Sequence, residues 1–480
     1  MSQDKSIYGE IEDEKGSFRD SIGTLTEDGD RKWVYPKKPK GKFYNRRTLV
    51  AYFLLAILFG APFVKIGGEP LLLFNVIERK FVIFGQIFWP QDFFLFVIAM
   101  LTLIVFIILF TTVFGRIFCG WICPQTIFLE MVFRKVEYMI EGDWRKQKKL
   151  DKLPWSNTEK LFKKLLKNGI FVLISSVIAH VFLSYIIGYE QVNELLTSSP
   201  KEHMGGFVAM ILFTAVFYGV FARFREQACI IVCPYGRLQG ALLDNKSIVV
   251  AYDFVRGEST AGRSKFRKGE NREEVGKGDC IDCHACVDVC PTGIDIRNGT
   301  QLECVNCTAC IDACDDIMLS INKPKGLVRY ASIENIEKKE PFKFTPRLIA
   351  YSAVLGILMS AMVILLSLRS PVEATVLRSQ GTTYQKLESG DLQNLYTYKV
   401  INKTKEDMKL NFVIDGFEGA KVVLVGKVPV LPAGGSSEGS LFIVIPVDKV
   451  TDYKMKIKLN LNNGDETVTT VKTSFLGPIQ

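Results

Sequence analysis

The chain reads as a multi-domain membrane protein with about five transmembrane α-helices, a small cysteine-rich domain between the fourth and fifth, and a C-terminal all-β sandwich. Three observations predict this class. Although 23% of the residues are charged, 48% are hydrophobic, and the apolar ones gather in long runs instead of spreading through the chain. Eight of the 12 cysteines fall in one short stretch, as two repeats of one spacing. After Pro371 the hydrophobic period changes to two, the repeat of a half-buried strand.

The apolar runs lie near Leu49 to Val64, Phe93 to Phe114, Ile170 to Ile187, Phe207 to Phe221 and Leu348 to Leu368. Each is about as long as a helix needs to cross roughly 30 Å of hydrocarbon, the first and fourth only just. Five such runs with basic flanks are hard to bury in one water-soluble core. Pro346 stands early in the fifth, a position that suits a helix start.

Lysine and arginine placement sets the expected orientation. Lys37, Lys38, Lys40, Lys42, Arg46 and Arg47 precede the first run, and a lysine-rich stretch from Arg134 to Lys167 follows the second. The intervening segments carry few cations, only Arg79 and Lys80 in one and Lys201 in the other. Positive residues stay on the cytoplasmic side, so the N-terminus and the second and fourth loops are expected there and the tail outside. The excess of 60 Lys and Arg over 51 Asp and Glu is thereby accounted for, and no nucleic-acid-binding motif accompanies it. The N-terminus lacks an apolar stretch behind a basic start, so no cleaved signal peptide is expected.

The two cysteine repeats are Cys280, Cys283, Cys286 and Cys290, followed by Pro291, and Cys304, Cys307, Cys310 and Cys314, followed by Asp315. Cys-x-x-Cys-x-x-Cys-x-x-x-Cys lets one tight loop wrap three thiolates around a cubane, the fourth ligand coming from the other repeat. One [4Fe–4S] cluster is then expected on Cys280, Cys283, Cys286 and Cys314, and a second on Cys304, Cys307, Cys310 and Cys290. A zinc site usually wants two cysteine pairs separated by roughly 12 to 20 residues, a poor match to a third cysteine two residues after the second. Disulfides are not expected on the cytoplasmic side. His284, inside the first repeat, is read as a loop residue hydrogen-bonded to sulfur rather than as a ligand.

The other four cysteines form a duplicated Cys-x-x-x-Cys-Pro element, Cys119, Cys123, Pro124 and Cys229, Cys233, Pro234, at the cytoplasmic ends of two helical hairpins. Residues four apart share a helix face, and proline favours a helix starting just after the second cysteine, whose thiolate the helix dipole would stabilise. The repeat suggests two parallel units whose four sulfurs converge. Packing of small buried thiols is one reading. A redox or metal role is the other, soft thiolates favouring Cu(I), zinc or a further iron–sulfur centre. Copper is attractive because thiolates hold Cu(I) well, so a site beside two low-potential clusters could bind Cu(II) weakly, pass it an electron and keep the product.

His180 is the one histidine inside an apolar run, and no second lies at its depth, so haem is not expected. In the tail, Met455, Ile457, Leu459 and Leu461 after Tyr453 alternate with Lys454, Lys456, Lys458 and Asn460, and Leu410, Phe412, Ile414 and Leu441, Ile443, Ile445 repeat the pattern. With turn clusters between them, roughly seven short strands fit a small immunoglobulin-like sandwich. It carries no cysteine or histidine and reads as a packing or docking module. Asn402, Lys403 and Thr404 match a glycosylation sequon by spacing only.

CGWICPQTIFLE from Cys119, EQACIIVCPYGRLQ from Glu226, YDFVRGE from Tyr252, QLECVNCTACIDACDD from Gln301 and WVYP from Trp33 resemble the FixG/CcoG/RdxA family of cytochrome c oxidase accessory proteins. The resemblance covers essentially the whole chain, and the membrane half is also similar to NapH and NosR ferredoxin-type proteins. It implies a multi-pass polyferredoxin of the bacterial inner membrane, needed to mature cbb-type oxidases and acting as a Cu(II) reductase or an electron carrier. A cytoplasmic electron donor, the cbb-type cytochrome oxidase or its copper chaperones, and membrane lipid are the implied partners, with no nucleic acid. By the resemblance the eight ferredoxin cysteines match cluster ligands, and Cys119, Cys123, Cys229 and Cys233 match the candidate copper or redox thiols. A relay to another membrane or periplasmic reductase and a non-enzymatic assembly scaffold are the alternatives. The missing proline after Cys314 departs from the pattern.

The expected division is a cytoplasmic arm over 1–47, a four-helix membrane region with both paired motifs over 48–240, and a cytoplasmic bacterial-type 2[4Fe–4S] ferredoxin domain over 241–345. A fifth transmembrane helix over 346–369 and a periplasmic immunoglobulin-like domain over 371–480 complete it.

Overall fold

The computed structural model describes Thr24 and residues 31–478, except 78, 261, 268, 269, 340–344, 380, 382, 405, 427–429 and 465. Most of the first part of the expected arm therefore lies outside the described residues. Among the described residues, five helices are long and apolar enough to cross a membrane: Lys42–Phe63, Pro90–Phe114, Thr158–Ile187, Met204–Phe224 and Pro346–Ser367. A helix satisfies every internal backbone group within itself, which is why apolar runs of this length take that form in lipid.

The third helix differs from expectation. Its 30 residues span about 45 Å, beginning well before the apolar run, so Lys160, Lys163, Lys164 and Lys167 ride on its first turns and not in a loop. Lysine is a good helix former with a long apolar stem, and here most of the charges are matched. Lys160 donates to the carbonyls of Asp151 at 2.9 Å and Leu153 at 2.6 Å. Lys164 reaches Glu141 at 2.9 Å and Asp151 at 2.6 Å, and Lys167 reaches Glu141 at 2.9 Å.

The chain forms two compact units. One comprises residues up to Ala61, Ile98–Ser184 and Tyr189–Met359; the other Pro62–Val97, Tyr185–Gly188 and Ser360–Gln480. In the first, an aromatic core of Phe128, Phe133, Phe171 and Phe221 joins the helices. Phe133 stacks on Phe221 with centroids 4.6 Å apart and meets Phe171 edge-on at 4.8 Å, geometries that ring quadrupoles favour. A two-stranded antiparallel sheet, Val249–Tyr252 against Val328–Ala331, brackets the cysteine repeats in sequence and packs with them in one core.

The second unit holds the sandwich. One sheet orders Lys421–Leu424, Ser436–Ile445, Leu392–Asn402 and Val372–Arg378, with Gln385–Lys386 also paired to Leu392–Asn402. The other orders Val430–Leu431, Met408–Asp415, Lys454–Asn463 and Glu466–Leu476. Sheets of 5 and 4 strands exceed the expected seven because the two-residue strands carry no readable period. Leu410, Leu441, Ile443, Ile445, Leu459 and Leu461 are fully buried, as alternation requires, whereas Tyr453 precedes its strand and is exposed. Tyr396 donates to the Ser474 carbonyl at 2.9 Å and Asn394 to the Leu476 carbonyl at 3.2 Å, linking the two sheets. A three-stranded sheet of Leu72–Asn75, Lys80–Ile83 and Gln86–Phe88 also belongs to this unit.

Candidate functional site

The two cysteine repeats fold alike. In each, the residues on either side of the second cysteine take left-handed backbone: Asp282 and His284 (φ 52° and 57°) around Cys283, Asn306 and Thr308 (φ 52° and 67°) around Cys307. Such conformations are costly for side-chain-bearing residues, a threonine above all. Positive-φ turns of this kind can form the concavities of backbone N–H that bind anions. His284 and Thr308 then precede short helices, Ala285–Asp288 and Ala309–Ser320.

Cys280, Cys283, Cys286 and Cys314 line one cavity; Cys290, Cys304, Cys307 and Cys310 line a second, with Cys286 shared between the two. Among the described residues no three His, Cys, Asp or Glu side chains converge on a point that would hold a single metal ion. Thiols spaced around a cavity suit a group with a body of its own, as a cubane has. The donor set of four thiols per cavity fits a [4Fe–4S] cluster. Burial pushes the Cys304 and Cys314 thiols up to about 12 and Cys307 to about 11, so iron entering these sites displaces protons.

Arg297, 4% exposed at its side chain, lines the first cavity and is held by Asp295 at 2.6 Å and Asp282 at 2.5 Å. The ring of His284, which lines the same cavity, lies 3.0 Å from Arg297 and 3.4 Å from Asp282. Asp315 has a local reason. The helix runs on from Cys314 to Ser320, where a proline would break it, and the aspartate accepts the Gly326 N–H at 2.9 Å.

The paired motifs depart from the single-helix picture. Cys119 sits in a helix that ends at Trp121, and Cys123 is the N-cap of the next, with Pro124 at its first position; Cys233 and Pro234 repeat this after a π-helical turn at Ala228–Val232. A residue before proline is driven out of the helical region, so each pair straddles a junction. The four thiols remain free and lie within electrostatic reach of one another. Burial pushes Cys119 and Cys229 up to about 12. The dipole-stabilised thiolate expected at the helix starts therefore does not extend to the first cysteine of either pair. Cys119 donates to Gln239 Oε1 at 2.9 Å.

Sequence reasoning missed the cations and the glycine beside these thiols. Arg134, 1% exposed, donates to the Pro291 carbonyl at 3.0 Å, next to Cys290. Arg116 donates to the Leu302 carbonyl, and Arg47 to the Gly120 carbonyl at 2.6 Å. Their only advance signal was position, since Arg116 and Gly120 flank Cys119. His180 lies in the third membrane helix beside Ser176.

Family models match three stretches: a 4Fe-4S binding domain over residues 96–149, a 4Fe-4S dicluster domain over 224–333, and the IG-like fold at the C-terminus of FixG over 362–478. With the five apolar helices and the cysteine-lined cavities, they define a membrane protein that carries electrons on iron–sulfur clusters. Protein RdxA of Cereibacter sphaeroides is 31% identical over 92% of this chain and 97% of its own length, and its RdxB is 35% identical over 78% and 80%. Nitrogen fixation protein FixG of Rhizobium meliloti is 30% identical over 95% of this chain and 91% of its own. The chain belongs to the FixG/RdxA family.

Proposed function

We propose that this protein reduces Cu(II) to Cu(I) at the paired thiols, for maturation of a cbb-type cytochrome oxidase. The observation that carries the reading is the convergence of Cys119, Cys123, Cys229 and Cys233, remote in sequence, on one place in the unit that also holds both cysteine cavities. Cys280, Cys283, Cys286 and Cys314 would hold one cluster and Cys290, Cys304, Cys307 and Cys310 the other. When bound, the clusters supply one electron at a time at low potential.

The residues of the chain do the rest. The cavity walls, Val250, Ile294 and Ile296 among them, exclude water and keep the electron from solvent acceptors. Copper is substrate here, not a resident ion. Each Cu(II) takes one electron and becomes Cu(I), while a low-potential one-electron carrier of the cytoplasm is oxidised. Soft thiolates favour the product, and protons displaced from Cys119 and Cys229 leave as copper binds. The basic segments support a reading with the N-terminus and the clusters in the cytoplasm and the tail in the periplasm, the oxidase or its copper chaperones being the proposed acceptor.

The test is Cu(I) formation by the anaerobic, dithionite-reduced protein, read with a Cu(I)-specific chelator. Cys119→Ala combined with Cys229→Ala is expected to lower the rate by at least about tenfold, equivalent to 1.4 kcal/mol in the barrier, with iron content unchanged. An unchanged rate overturns the reading.

A further inference from the structure

We propose that Arg116 and Gly120 are positioning residues that tie the paired thiols to the second cysteine cavity alone. They make Cys290, Cys304, Cys307 and Cys310 the set through which the motif is coupled to the ferredoxin domain.

Gly120 carries the steric half. It is buried, its φ is ordinary, and a Cβ placed on it would stand 2.4 Å from the Val305 carbonyl oxygen and 2.7 Å from that of Asn306. Those atoms are backbone of the loop between Cys304 and Cys307, so nothing flexible can yield. Glycine is required here for space, not for conformation. The approach is clamped from both sides. Arg47 holds the Gly120 carbonyl, and Trp121 donates to the Tyr330 hydroxyl at 3.1 Å, which in turn lies 3.5 Å from the Asn306 carbonyl. Cys119 consequently packs against the cluster of Val305, Cys307 and Ala309.

Arg116 carries the electrostatic half. It is 6% exposed, its guanidinium is fixed by the Leu302 carbonyl, and its Nε has no hydrogen-bond partner. It precedes Cys119 by three residues, and the carbonyl it holds lies two residues before Cys304. One buried cation therefore serves both thiol sets across the Gly120 contact. The first set is arranged differently, with its own cation, Arg297, and with Cys283 exposed. A buried positive charge stabilises an added electron nearby and raises the reduction potential there.

The inference rests on the ligand sets of the proposed function and not on copper. Its test is a redox titration of the anaerobic full-length protein followed by paramagnetic resonance, the two signals being assigned with Cys283→Ser and Cys307→Ser. Arg116→Gln is expected to lower the midpoint of the signal that Cys307→Ser abolishes and leave the other in place, and Arg116→Lys to restore it. In parallel, Gly120→Ala is expected to speed amide hydrogen exchange at Val305 to Thr308 by tenfold or more without affecting Cys280 to Cys286. Gly169→Ala, where a Cβ meets nothing within 4 Å, serves as control. Equal shifts of both signals, no shift, or unchanged exchange overturn the proposal. If the two cysteine variants abolish the same signal, the ligand reading fails instead.

Discussion

Arg225 grips Glu137 through two parallel hydrogen bonds of 2.8 and 2.7 Å, with both side chains about 95% buried. Arg225 follows the fourth helix in a left-handed conformation (φ 53°) and lies over the Trp33 ring, as does Arg31. Next to it, Glu226 pairs with Arg134, the residue that holds the Pro291 carbonyl. A network of buried charges therefore runs from the membrane helices to the loop after Cys290.

Glu137→Gln leaves Arg225 and Lys167 facing a neutral group. Removing one partner of a buried pair costs about 3–5 kcal/mol, and thermal unfolding in detergent is expected to show that loss. Glu159→Gln, at an exposed i,i+4 pair with Lys163, is expected to have little effect.

Burial pushes the Glu137 carboxyl up, but Arg225 and Lys167 outweigh it and hold it below the usual carboxylate range. A depressed pKa contributes stability that is complete above the unfolded value, about 4.3, and is lost as pH falls below that toward the folded value. Unfolding midpoints measured from neutral to acid pH are expected to fall more steeply for the wild type than for Glu137→Gln.

The proposed ligand sets make Cys314 and Cys290 partners of the repeat to which they do not belong in sequence, in keeping with the cavities they line. Cys314→Ser is expected to remove the paramagnetic signal that Cys283→Ser removes, and Cys290→Ser the one that Cys307→Ser removes. Each change lowers iron per chain by about half, since each cluster carries four of eight irons. Loss of matching signals within a repeat, Cys314 with Cys307, would exclude the crossing.

Asp92 is 4% exposed and is met by Arg369 at 2.6 Å and Lys403 at 2.6 Å. Asp92→Ala removes the carboxylate that both cations share, leaving Lys403 with Glu373 at 2.7 Å and Arg369 with the Ile87 carbonyl, so a loss of about 3 kcal/mol, the lower end for a broken buried pair, is expected. Limited proteolysis of the full chain is expected to cut the tail after Arg369 faster in this variant, with the paramagnetic signals unchanged.

Much of the fold was legible because it rests on local pattern. The apolar runs announce the five helices, and alternation from Lys454 to Asn463 announces a strand with Ile457, Leu459 and Leu461 inward. The start of the third helix was not legible, since Lys160, Lys164 and Lys167 look like loop residues until Glu141 and Asp151 are seen beside them. The cysteines were visible by spacing. Their surroundings were not, because nothing local marks Arg116, Arg134 or Gln239 as buried.

The sequence by itself determined the chemistry: eight thiols at the spacing of tight loops around an iron–sulfur cluster, two further pairs whose second members stand at proline-led helix starts, and helices long enough for a membrane. Spacing and hydropathy act over a few residues, so they survive in the bare sequence. The tertiary structure decided which thiols meet. Cys314 stands with Cys280, and Cys119 packs on the Cys304 to Cys307 loop because Gly120 has no side chain to hold it off. Such meetings depend on backbone surfaces distant in sequence fitting within a few tenths of an ångström, which no local pattern encodes.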